Sequence, residues 1–267
     1  MSRRSGVRRP LPMLWVLAAG ILGSSVSPTA SAACKRDEPG YVWNYDGDIG
    51  GKYRARMSLV FRGRALEGVY FYANQLRDIR LRGRIDEDGQ RVLLEELNPD
   101  GSVNARFEGE FPLRWPARYG ESELQCDVIA GRWTRAGAAE SQPFFFASES
   151  ATAGSLTHRY GAIGVRDDEV VHRGAARFWR AIEAGDRASV AAQVRYPIAV
   201  SVGGRPLRLK TPKEFIVRYD ELFHPAYREE ILKGMPRNMF VRDEGAMLGG
   251  GSVWFGADGK VIAFGNF

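Results

Sequence analysis

The sequence predicts two folded parts behind an export leader: an all-β antiparallel meander forming an up-and-down barrel or a strongly curled sheet, then an α+β region. Three observations carry this. The first 32 residues have the layout of a secretory signal, residues 41–148 alternate with a period of two, and from Val171 the period becomes helical.

The leader comes first. Met1 to Pro12 carries Arg3, Arg4, Arg8 and Arg9 and no acidic residue, Met13 to Val26 is apolar or small, and Ala30-Ser31-Ala32 forms an A-x-A cleavage site. The apolar run falls short of the ~20 residues of a membrane span. Cleavage after residue 32 leaves 34 of the 38 basic residues against 32 acidic ones, so the net charge of +6 shrinks to near neutrality. The electrostatic footprint of a nucleic-acid binder is then weak, and no nucleic-acid partner is expected. The chain is expected in a Gram-negative periplasm, with secretion or lipid anchoring as lesser possibilities.

Two cysteines remain, Cys34 and Cys126. An even pair in an oxidising compartment reads as one disulfide. The competing reading makes Cys34 a lipidated first residue, which would attach the protein to a membrane, although Ser31-Ala32-Ala33 lacks the Leu of a bacterial lipobox.

Residues 33–148 form the barrel-like part. Tyr53, Ala55, Met57, Leu59 and Phe61 share one face and Arg54, Arg56, Ser58 and Arg62 the other; 79–85 and 103–111 repeat the pattern. This is the signature of strands with one buried and one wet face. Further strands near 42–47, 66–73, 91–97, 127–134 and 142–148 bring the number to eight, with turns at Asp88-Gly89 and Asp100-Gly101. Closing a meander removes its edges. The glycine-aromatic pieces Gly68-Val69-Tyr70-Phe71-Tyr72 and Gly131-Arg132-Trp133 resemble those of small extracytoplasmic barrels of the avidin or lipocalin kind.

Residues 149–168 read as a linker and 169–267 as the α+β part. Ala175, Phe178, Trp179 and Ile182 form an apolar helical stripe ended by Gly185, and Asp186 caps a helix over 187–194. Ile198–Val202 and Leu207–Leu209 flank Gly203-Gly204 as a hairpin. Thr211-Pro212-Lys213-Glu214 is a capping box with proline at the first helical position. It opens a helix through Phe223, and a further short helix spans 226–233. Strands are expected at 239–242, 246–248, 252–255 and 261–264. This order, with Phe178 to Asp186 and the closing Ser252-Val253-Trp254-Phe255 and Gly259-Lys260-Val261-Ile262, resembles the nuclear transport factor-like family. The resemblance implies a cone of helices inside a curled sheet, often with a pocket.

No motif specifies a reaction, so no catalytic residue is assigned. Three histidines, His158, His172 and His224, do not make a metal centre, and Asp46 and Asp48 stop short of a calcium loop; neither metal nor cofactor is expected. In the implied pocket Tyr219, Asp220 and His224 are the candidate ligand-lining residues, each with a structural alternative. The loop 112–125 concentrates Trp115, Arg118 and Tyr119, residue types that dominate interface hot spots; its alternative role is a plug over the barrel. The arginine face pairs with Glu95, Glu96, Glu108 and Glu110 or binds an anionic polymer. The reading is a non-enzymatic binding protein, an inhibitor or immunity-type protein acting on an envelope enzyme or toxin. The alternative is a small-ligand carrier or enzyme using the C-terminal pocket. Oligomeric state is not legible.

Overall fold

The computed structural model describes residues 34, 36, 38–112 and 126–265. The expected signal peptide, Trp115, Arg118 and Tyr119 lie outside the described residues. Ala32–Phe267 forms one compact unit, and within it a barrel is followed by a smaller helix and strand region.

Eight antiparallel strands close the barrel in sequential order: β1 (Tyr41–Ile49), β2 (Tyr53–Arg62), β3 (Ala65–Tyr72), β4 (Ile79–Ile85), β5 (Arg91–Leu97), β6 (Val103–Glu110), β7 (Val128–Arg135) and β8 (Ser141–Ala153), which returns to β1. Each strand turns its odd-even alternation into an inner and an outer wall. Met57, Leu59, Tyr70, Leu94, Phe107 and Phe146 are fully buried inside. Edge-on rings, Tyr70 on Phe107 at 5.2 Å and Phe107 on Phe144 at 5.2 Å, fill the lumen in the geometry aromatic quadrupoles favour. The cross-strand pair Gly109 and Gly131 makes room for them. A Cβ at Gly109 would stand 2.7 Å from the Phe144 ring, and one at Gly131 2.2 Å from the Glu108 carbonyl oxygen.

One expected outer residue is an inner one. Glu96 does not pair with the arginine face; it is buried in the lumen, accepting from the Tyr70 hydroxyl at 2.5 Å and Asn104 Nδ2 at 2.5 Å. The period of two places it with Val92 and Leu94, opposite Glu95, which does meet Arg82 at 2.9 Å outside.

A disulfide joins Cys34 to Cys126 with 5.0 Å between Cα atoms. It occupies the thiol that lipidation of Cys34 would need. Arg36, two residues on, lies 3.7 Å over the Trp43 ring and donates to the Tyr45 hydroxyl and Asp127.

Strand β8 runs to Ala153, into the segment expected as linker. After a 3-10 turn at Gly161–Ile163 come α1 (Asp168–Ala184), α2 (Arg187–Ala192), the hairpin β9 (Ile198–Val202) and β10 (Arg205–Leu209), α3 (Pro212–Val217), α4 (Tyr219–Leu222), α5 (Pro225–Lys233), and a four-stranded meander β11 (Phe240–Arg242), β12 (Gly245–Leu248), β13 (Val253–Phe255) and β14 (Val261–Phe264). The caps read from the sequence are made: Asp186 accepts from Ser189 N and Thr211 from Glu214 N. The single helix expected from Thr211 to Phe223 is two. At Arg218 (φ −97°, ψ 5°) the amide bonds back to Phe215, a tightened turn that ends α3 and starts α4.

Candidate binding cleft

The C-terminal interior is packed with rings. Phe178 lies 5.7 Å from Phe255 and 6.2 Å from Phe264, Phe215 lies 5.8 Å from Phe223, and Tyr219 lies 4.8 Å from Phe223. The three residues expected around a pocket there do not converge. Tyr219 is buried, with its hydroxyl unpartnered among the described residues; burial raises its pKa. Asp220 points to solvent and pairs with Arg187 at 2.9 Å. His224 is exposed and caps α5, its Nδ1 accepting from the Tyr227 amide. Asp48 closes the turn after β1 by accepting from Gly51 N. Among the described residues no cluster of acidic, histidine or cysteine side chains is suited to a metal ion.

A concavity lies where the outer wall of the barrel meets the segment from α5 to β12. It has a volume of about 540 Å³. The barrel contributes Asp46 from β1, Arg54 and Arg56 from β2 and Glu149 from β8; the opposite side contributes Glu230, Lys233, Met235, Phe240 and Met247. Alternation sends Arg54 and Arg56 outward and sets Asp46 directly across from Arg56. Glu149 arrives by a different device. Asn44 pairs with Ser150 but Tyr45 with Ser148, so Glu149 is the extra residue of a β-bulge, and a bulge re-aims the side chain it carries.

The charges form a fixed group. Arg56 grips Asp46 through Nε at 2.5 Å and Nη2 at 2.8 Å, touches Glu149 at 3.2 Å, and donates to the Asn238 carbonyl at 3.4 Å. Arg54 donates to the Lys233 carbonyl at 2.6 Å. Burial pushes the Asp46 carboxyl up, but the Arg56 guanidinium outweighs it and holds Asp46 below the usual carboxylate range. The hydrogen bond shared with Asp46, then burial, raise Glu149 to about 7. Near neutrality the pair therefore exchanges a proton at Glu149 while Asp46 stays ionised.

The cleft walls are pinned behind this group. Arg237 forks onto Asp78 at 2.8 and 3.0 Å and reaches Glu169 at 2.7 Å, tying the barrel loop after β3 to α1. His172 is buried; its Nδ1 faces Glu169 and its Nε2 takes the Asn238 amide. Burial, then Arg237, lower its pKa, so it acts as a neutral acceptor. Arg159, 1% exposed, donates to Asn44 at 2.8 Å while its Nε and Nη2 find no partner among the described residues.

Sequence reasoning missed Asp46 and Glu149 as a pair, because one was weighed only with Asp48 as an incomplete calcium loop and the other fell in the expected linker. The outward, cross-strand position of Asp46 opposite Arg56 was the available signal. No protein-family model matches the chain, and no curated protein or solved structure matches it; the likeness to the nuclear transport factor-like family thus has no support from these comparisons.

Proposed function

We infer that this chain is an exported, non-enzymatic binding protein of the bacterial periplasm whose partner is another envelope protein, bound as by an inhibitor or immunity-type protein. The observation that carries this reading is the pinned cleft between barrel and α5–β12. It offers Arg54, Arg56 and Lys233, Asp46, Glu149 and Glu230, and an apolar side of Met235, Phe240 and Met247. Mixed charge around apolar contacts, on walls already tied together, suits a folded partner's protruding segment and limits the entropy lost on binding. The ring-filled barrel lumen and C-terminal interior favour an external site over a small-molecule carrier. Export is supported by the disulfide; among the described residues no helix is long and apolar enough to cross a membrane.

The experiment is copurification of the chain from its native envelope, followed by titration calorimetry with the partner recovered. Lys233→Glu and Phe240→Ala should each weaken the complex by about tenfold or more. Trp115→Ala and Arg118→Ala test the loop beside Cys126. Unchanged affinity in all four variants, or no partner at all, overturns the reading.

A further inference from the structure

A second surface, sharing no lining residue with the cleft, lies between β10 and α3. It is a shallow groove of about 450 Å³. Its apolar residues are Leu207, Leu209 and Val217. Leu209 is buried, but Leu207 is 37% and Val217 73% exposed, two of the four exposed large hydrophobic residues among the described ones. Single exposed apolar side chains are ordinary; two in one groove framed by cations form a recognition surface.

The frame is basic. Arg208 and Lys213 line the groove, and Arg205 and Lys210 stand at the ends of β10. None of these four has a carboxylate within ion-pair distance among the described residues, whereas the neighbours Arg187 and Arg218 are paired with Asp220 and Glu221. The groove's own acid, Glu214, is committed to the Lys210 amide at 2.8 Å. Positive charge is therefore left uncompensated beside apolar surface.

The edge of β10 limits what can bind. Val202 and Arg205 close the two-residue turn, so alternation directs the backbone polar groups of Pro206 and Arg208 outward. Proline has no amide to donate, and this blunts strand addition. A second copy pairing edge to edge would also set Arg205 and Arg208 against like charges.

We propose that the β10–α3 groove docks an acidic segment of a partner protein, with an apolar side chain between Leu207 and Val217 and flanking carboxylates on Arg208 and Lys213. Charge complementarity selects the segment, and the concave shape suits a few side chains of a chain better than a flat bilayer.

The test is fluorescence anisotropy with the purified chain and a labelled peptide of alternating Glu and Leu. The wild-type protein should bind it, and affinity should fall about tenfold or more in Arg208→Glu and Lys213→Glu and severalfold in Val217→Ser. All three positions are exposed. Without any variant, raising salt from about 0.05 M to about 0.5 M should weaken binding strongly, and a peptide with Lys for Glu should not bind. Equal affinity for the Glu and Lys peptides, or no response to the charge reversals, overturns the proposal. Stronger binding to phosphatidylglycerol vesicles than to phosphatidylcholine vesicles, lost in Lys213→Glu and with no peptide binding, overturns it in favour of a lipid surface. Concentration-dependent dimerisation lost in Val217→Ser, again without peptide binding, overturns it in favour of a second copy.

Discussion

Breaking the disulfide between Cys34 and Cys126 tests the tie between the N-terminal arm and the barrel. The two residues are 92 apart in sequence. A cross-link closing a loop of that length removes chain entropy from the unfolded state worth about 4.6 kcal/mol at 25 °C. Both cysteines are buried, and the same short arm places Arg36 on Trp43, Tyr45 and Asp127. These contacts fray when the cross-link is cut, so the folded state loses order too. For a chain of this size each kcal/mol moves the melting midpoint by about 2–4 °C. The double variant Cys34→Ser/Cys126→Ser, or the wild type in reductant, should therefore melt about 9–18 °C lower. In urea the midpoint should fall and the slope rise, because the uncrosslinked unfolded chain exposes more surface. A loss below about 1 kcal/mol in both reduced wild type and the double variant would refute the account.

Other outcomes follow from the seam and the cleft. Glu149 titrates near 7 in the folded protein and at 4.5 when unperturbed. The folded state thus holds a proton the unfolded state has released, and the Glu149 contribution to stability falls as pH rises from about 4.5 to about 7. Urea midpoints across that window should show this decline in the wild type and lose it in Glu149→Gln. Arg237→Ala leaves Asp78 partly buried without its fork and should cost about 3 kcal/mol in equilibrium unfolding. Arg159→Met should be nearly neutral or stabilising. It removes a buried guanidinium with two unpartnered nitrogens, and Asn44 Oδ1 keeps the Ser58 hydroxyl at 2.8 Å. Arg159→Ala, which leaves a void, should destabilise by about 2–4 kcal/mol. Asp220→Ala, by contrast, should change stability by less than about 0.5 kcal/mol, since its ion pair with Arg187 is exposed.

The alternation in β2, β4 and β6 was legible residue by residue, and so were the eight strands, the cysteine pair, and the caps at Asp186 and Thr211. These are local signals: side-chain direction repeats with the backbone period, and a cap needs only its own turn. What the sequence left open depended on neighbours distant along the chain. Glu96 was assigned to the wrong wall because acidity was weighed above its place in the alternation with Val92 and Leu94. Glu149 escaped notice because its direction is set by a bulge, and a bulge exists only in the register between β8 and β1. Tyr219 and Asp220, adjacent in sequence, part company because helix geometry buries one ring against Phe223 and leaves the other side chain exposed at the surface.

The sequence by itself determined the alternating strand faces of β2, β4 and β6 and the caps at Asp186 and Thr211, since these follow from local periodicity and hydrogen-bonding capacity. Only the tertiary structure decided which polar faces meet. Arg56 reaches Asn238 across 182 positions and Arg237 reaches Asp78 across 159. No local pattern encodes such contacts; they arise because burying both cores brings those faces together, and paired charges then offset the water they lose.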